Sequence, residues 1–260
     1  MVKGVLCAVT ALSLVVALAG CAQESGSQNS GTDDPTNGTS QAAPEDTTDV
    51  TEGMEVTDPS DQTTPPVTEP GQTGSVEPED DDFVRVLDYI PMARQQLMYA
   101  TKDNFTGTVI YGSSDAYLRY GTVKKLMEAQ KDLQRLGYTL VIWDAYRPVY
   151  AQQRLYDAYP DPNFVSPPGT GNQNHCRGRA VDVTIANILT GELLEMPTGF
   201  DDFSAKADRD YSDVSPVAAC NAQILTDAME RNGFKGYSGE WWHFNDTDEY
   251  PIEEVFDPAA

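Results

Sequence analysis

The 260-residue chain is short of histidine, cysteine and positive charge. It holds two histidines, four cysteines and 17 Lys plus Arg against 41 Asp plus Glu, for a formal net charge of −24. A nucleic-acid-binding surface needs a basic patch, and none is present, so nucleic acid is excluded as a partner. The N-terminal apolar run, Gly4 to Leu18 behind the single charge of Lys3, falls short of the roughly 20 residues that a spanning helix requires. It reads instead as a secretory signal over 1–20. Residues 22–82 lack Lys, Arg and every aromatic residue but carry sixteen Asp or Glu among Ser, Thr, Gln, Gly and Pro. Such a stretch buries too little apolar surface to offset the entropy of ordering, and its like charges repel, which predicts a disordered, extended acidic tether over 21–82. What remains, 83–260, has a net charge near −9 and the size of one ordinary domain.

Scarce cysteine narrows the covalent chemistry. Cys7 leaves with the signal. Leu18-Ala-Gly-Cys21 has the small residues before a cysteine that mark a lipobox, which makes Cys21 the expected lipid anchor. That places the domain on the extracytoplasmic face of the cell membrane, tied to it only through the lipid. Plain secretion, with Cys21 incidental, is the alternative. Cys176 and Cys220 remain, as one disulfide or as two buried thiols.

Within the domain, 104–107 reads as a turn, and apolar spacing from Asp115 to Leu136 predicts an amphipathic helix stopped by Gly137. Residues 138–143 form a continuous β-prone run, hence a buried strand. Helices are predicted over 149–159 and 216–232, a Pro/Gly/Asn-rich loop over 160–174, and further strands over 180–185 and 239–245. Asn187 to Glu192 reads as a turn. The mixed order without a βαβ rhythm predicts an α+β domain, with helices packed on a small, mainly antiparallel sheet.

Both histidines fall in patterned segments. His175, Gly178, Ala180 and Asp182 make H-x-x-G-x-A-x-D, and Glu240-Trp-Trp-His243 makes E-x-x-H. Gly178 allows a tight turn near a bound ion, and strand alternation turns Asp182 and Ala180 to one face. Two imidazoles and one carboxylate, His175, His243 and Asp182, form a typical catalytic zinc set with a fourth position open for water. Glu240 is then the general base. The blander readings are a satisfied core histidine, a turn-capping Asp182, and core roles for Trp241 and Trp242; the co-occurrence of both motifs outweighs them. Asp144-Ala-Tyr-Arg147-Pro148 follows a predicted strand. Pro148 holds Arg147 extended, which suits an oxyanion-stabilising guanidinium, against a surface salt bridge to Asp144 as the alternative.

These residues resemble the D-alanyl-D-alanine dipeptidase branch of the M15 zinc peptidases, the VanX-type enzymes. The likeness runs in order through Tyr99 to Gly107, Asp144 to Pro148, His175 to Asp182, Thr190 to Glu192, Met196 to Asp201, and Glu240 to His243. It covers essentially all of 83–260 and none of the tether. The resemblance implies the M15, hedgehog-like fold with its zinc cleft at the sheet, and one zinc per chain on His175, Asp182 and His243. It makes Glu240 the base and Arg147 the transition-state arginine. Asp201 becomes the partner of the substrate ammonium, and Tyr99 a cavity-lining residue. It implies hydrolysis of D-Ala-D-Ala or a similar short cell-wall peptide. The rivals are a D,D-carboxypeptidase acting on stem peptides and a non-catalytic lipoprotein that binds peptidoglycan fragments. Two positions depart from the pattern. Gln173 stands where Ser is usual, so its amide is the expected donor to the substrate carboxylate. Cys176 also replaces a common Ser and, next to His175 on an extended chain, points away from the metal.

Overall fold

A computed structural model describes residues 77–162, 164–170 and 173–259. The expected signal peptide, Cys21 and the tether up to 76 lie outside the described residues. Five strands form the main sheet: β2 (Arg94–Gln95), β4 (Tyr138–Asp144), β5 (Ala180–Asn187), β6 (Phe234–Tyr237) and β7 (Glu240–Asp246), in the order β2-β4-β5-β7-β6. All neighbours run antiparallel except β2, which lies parallel to β4 at one edge. A separate two-stranded sheet joins β1 (Phe83–Arg85) to β3 (Tyr117–Arg119). A short helix α1 (Val86–Tyr89) precedes the three longer ones, α2 (Tyr120–Arg135), α3 (Val149–Ala158) and α4 (Pro216–Arg231). The expected α+β class, with helices on a mainly antiparallel sheet, is what the structure has.

Period-2 alternation explains how β5 serves both core and site. Val181, Val183 and Ile185 join the hydrophobic core, together with Leu126 and Leu133 of α2 and Leu225 and Met229 of α4. Ala180, Asp182 and Thr184 take the opposite face. The core side is tied to β7 by a part-buried ion pair: the buried Asp246 accepts from Lys125 of α2 and, at 2.7 Å, from the Thr122 hydroxyl. Among the described residues no helix is long and apolar enough to cross a membrane.

Two boundaries differ from expectation. The helix expected from Asp115 begins at Tyr120, because Tyr117–Arg119 is claimed by antiparallel pairing with Phe83–Arg85, a distant partner that overrides local helical spacing. Residues 77–82, expected as the end of the tether, are described and pack against α2. The carbonyls of Asp82 and Asp80 accept the N–H groups of Tyr120 (2.8 Å) and Gly121 (3.0 Å), the first free donors of α2, which has no side-chain cap. Glu77 accepts from the Tyr120 hydroxyl at 2.8 Å, and Asp80 pairs with Lys124 at 2.5 Å. Acidic side chains beside a helix N-terminus are stabilised by its dipole, so the last tether acids are recruited into the fold.

Candidate active site

The register of the central strands assembles the site. Asp144 of β4 stands opposite Asp182 of β5, and Asp182 stands opposite His243 of β7. Directly opposed residues share a face, so three functional side chains from distant sequence segments become neighbours. His175 arrives from a 3₁₀ turn, His175–Arg177, closed by Gly178 at φ 70. A Cβ on Gly178 would lie 2.4 Å from the Phe83 ring. The tight turn expected at Gly178 is present, and the Phe83 ring packed against it leaves no room for a side chain.

His175, Asp182 and His243 place one ligand atom each within 4.8 Å of one another. Each imidazole is oriented by an acceptor on its far nitrogen. His175 Nδ1 donates to the Ala145 carbonyl at 2.7 Å, and His243 Nε2 donates to Asn245 Oδ1 at 3.1 Å. That leaves the lone pairs of His175 Nε2 and His243 Nδ1 facing each other across 3.2 Å, with Asp182 Oδ1 2.9 Å from the latter. Opposite tautomers, each fixed by an outer acceptor, turn two lone pairs and a carboxylate onto one point, and this donor set fits a zinc ion. Burial opposes charge on Asp182, but the two histidines hold its carboxyl below the usual range. Burial likewise works against a charged His243, while Asp182 and Glu240 raise it.

Glu240 Oε2 lies 3.8 Å from His243 Nδ1 on the same partly buried strand end. Burial raises its carboxyl above the ordinary value, and His243 pulls the other way. Arg147 is not a surface residue: its side chain is only 11% exposed. Its Nε and Nη2 donate to Asp144 Oδ2 at 3.0 and 2.5 Å, and its Nη1 donates to Gln152 Oε1 at 2.7 Å. The salt bridge to Asp144 is thus real, yet among the described residues it leaves two of the five guanidinium N–H donors for the cavity that Arg147 lines. Asp144 is itself oriented by the Tyr111 hydroxyl at 2.7 Å. This partner is missed by sequence reasoning, since nothing in the Tyr111 segment marks it. Asn245 carried a readable signal: it follows His243 by two on a strand and so shares its face.

Asp201 and Tyr99 close one end. Asp201 sits in the left-handed region at φ 53 and accepts from the Tyr99 hydroxyl at 2.8 Å. The Tyr99 ring lies 5.0 Å from the Arg147 guanidinium carbon. The cavity enclosed by these residues measures about 330 Å³ and carries Phe105, Phe164 and Phe203 at its apolar side. That is the small end of the ~300–1,000 Å³ range of ligand pockets. Gln173 lines it too, but both amide hydrogens are spent on its own loop, on the Pro167 and Thr170 carbonyls at 3.2 and 3.3 Å. The expected donor to a substrate carboxylate is therefore not available from Gln173 in this arrangement. Cys176 lies on the 3₁₀ turn and not on extended chain; it stays outside the ligand cluster as a buried free thiol, which burial pushes up to about 11. No bridge joins it to Cys220, which settles that alternative for Cys176.

Burial pushes the Asp201 carboxyl up to about 8, against the lowering effect of the Tyr99 hydroxyl. A folded pKa above the unfolded value of about 3.9 means stability fully present below that value and lost as pH rises toward 8. Asp201→Asn removes this loss. In metal-free protein at pH 8 the variant melts above wild type, by about 2–4 °C for each kcal/mol recovered, and the two melting curves converge below pH 4. A wild type that is the more stable at pH 8 would show that the carboxylate is compensated in place.

The model of the M15 peptidase family described as D-Ala-D-Ala dipeptidase matches residues 79–258. D-alanyl-D-alanine dipeptidase of Escherichia coli (strain K12) is 38% identical over 163 residues, covering 63% of this chain and 83% of that protein. The dipeptidase of the same name from Streptomyces coelicolor is 32% identical over 203 residues, 68% of this chain and 96% of that protein. A crystal structure of the vancomycin-resistance D,D-pentapeptidase VanY with Zn(II) covers 53% of this chain and 77% of its own, at 18% identity and a TM-score of 0.34, too low to argue from. With the family match spanning the whole of the cleft and both histidine motifs, the chain is a peptidase and belongs to the M15 family of D-Ala-D-Ala dipeptidases.

Proposed function

We propose that this chain hydrolyses D-alanyl-D-alanine, or a closely similar short cell-wall dipeptide, with one zinc ion held by His175, Asp182 and His243. The observation that carries the reading is the pair of imidazoles, fixed in opposite tautomers, which turn their lone pairs onto Asp182 with Glu240 beside them. The substrate is supported by the names of the relatives. When bound, zinc supplies Lewis-acid polarisation of a carbonyl oxygen and makes water more acidic. Glu240 takes the proton from the attacking water and delivers it to the departing amine, a shuttle for which a raised carboxyl is suited. The two uncommitted N–H donors of Arg147 stabilise the negative charge that develops on the carbonyl oxygen. Asp201, made anionic by the approach of the substrate ammonium, binds the free amino end and rejects longer chains. The cell-surface setting is proposed on the Leu18–Cys21 pattern and the acidic segment behind it.

Purified full-length chain, assayed against D-Ala-D-Ala, its N-acetylated form and a stem pentapeptide, tests this reading. The free dipeptide is expected to be cleaved, with kcat/KM lower by about 10²-fold once the ammonium partner of Asp201 is acetylated. Preferred cleavage of the pentapeptide would make it a D,D-carboxypeptidase. Binding without cleavage of any of the three would make it a non-catalytic binding lipoprotein.

A further inference from the structure

The hairpin that carries Glu240 and His243 is irregular. Tyr237 pairs with Glu240 and Gly236 pairs with Phe244, so a single step along β6 spans four along β7. Trp241, Trp242 and His243 lie in the excess length. A bulge of this kind takes backbone groups out of the ladder and re-aims side chains, and it needs something to hold it. Arg209 supplies the missing partners. Its Nη2 donates to the carbonyl oxygens of Trp241 and His243, each at 3.0 Å, and its Nε donates to the Tyr237 carbonyl at 2.8 Å. Nη1 donates at 2.9 Å to the Thr226 hydroxyl on α4, which anchors the guanidinium to the core side. The Phe244 ring centroid lies 4.5 Å from the guanidinium carbon. A Cβ on Gly236 would approach that carbon to 2.4 Å, so the absence of a side chain there is what admits the arginine.

We infer that Arg209 is a positioning residue: by bridging the carbonyls on both sides of the β6–β7 bulge, it sets where Glu240 and His243 stand relative to His175 and Asp182. The inference rests on the peptidase reading for its catalytic consequence but not for its effect on the ligand cluster. No lysine can do the same, since one ammonium on a flexible stem cannot replace a planar fork with donors on three nitrogens.

Arg209→Lys and Gly236→Ala test it by different means, the first removing the fork and the second displacing it with Arg209 retained. Each is expected to raise the zinc Kd, read by chelator competition, and to lower kcat, with KM nearly unchanged, by about 10–100-fold, the usual range for groups that support metal ligands. Amide hydrogen exchange over 241–244 is expected to quicken in both. A residue that only stabilises the fold would lower the unfolding midpoint and leave the zinc Kd and the kcat per folded molecule as in wild type, and that result in either variant overturns the inference. If Arg209→Lys fails to fold, Gly236→Ala decides. If the wild type cleaves no dipeptide, the peptidase reading fails while zinc Kd and exchange still judge the brace.

Discussion

Glu240→Gln is expected to lower kcat for D-Ala-D-Ala by about 10²–10⁴-fold, the span usually attributed to a positioned general base. Glutamine keeps the shape and the hydrogen-bonding reach of the side chain but cannot take a proton. The change should therefore appear in kcat while KM and metal content stay close to wild type. The location supports this separation: Glu240 is not among the three clustered ligand atoms, yet its carboxylate stands 3.8 Å from one of them, His243 Nδ1. Steady-state kinetics paired with metal analysis of the same sample makes the measurement. Turnover close to the wild-type rate would assign the base elsewhere, and loss of metal along with turnover would make Glu240 a structural support.

Removing the metal is expected to abolish hydrolysis completely, with recovery on adding zinc back. The three donor groups crowd one point: His243 Nδ1 lies 2.9 Å from Asp182 Oδ1, and His175 Nε2 lies 3.5 Å from Asp182 Oδ2. Raising His243 by Asp182 and Glu240 means that a proton competes for the same lone pair. Ligands must be deprotonated to bind, so metal uptake releases protons, and the apparent zinc affinity should fall as pH drops through the range where His243 charges. Chelator competition at a series of pH values reads that slope. His175→Ala or His243→Ala should lose both the metal and the activity. Undiminished cleavage by protein shown to be metal-free would remove the zinc reading altogether.

Much of this site is legible in the sequence. Two histidines in two motifs, each with a carboxylate at a fixed offset, left few other partners for a metal, and strand alternation put Asp182 on a defined face. The expected antiparallel sheet also follows from apolar runs over 138–143 and 180–185, which are 138–144 and 180–187 in the fold. What could not be read depends on contacts between distant segments. Tyr117–Arg119 is a strand only because Phe83–Arg85 lies beside it. Nothing in the sequence around Gln173 marks its amide as engaged, but the turn of its loop brings the Pro167 and Thr170 carbonyls to it. Arg209 sits in a polar stretch with no motif, and its importance appears only once the β7 bulge has exposed the carbonyls it serves. Arg147 was legible as a site residue, but the depth at which Asp144 and Tyr111 hold it was not.

The scarcity of histidine has a spectroscopic consequence. A ¹⁵N spectrum of the imidazoles contains only two ring systems, His175 and His243, and both belong to the cluster. Because His175 keeps its hydrogen on Nδ1 and His243 on Nε2, the two rings report through opposite nitrogens. Occupancy of the cleft by an ion is thus visible in solution at each ligand separately, against no background from any other imidazole in the chain.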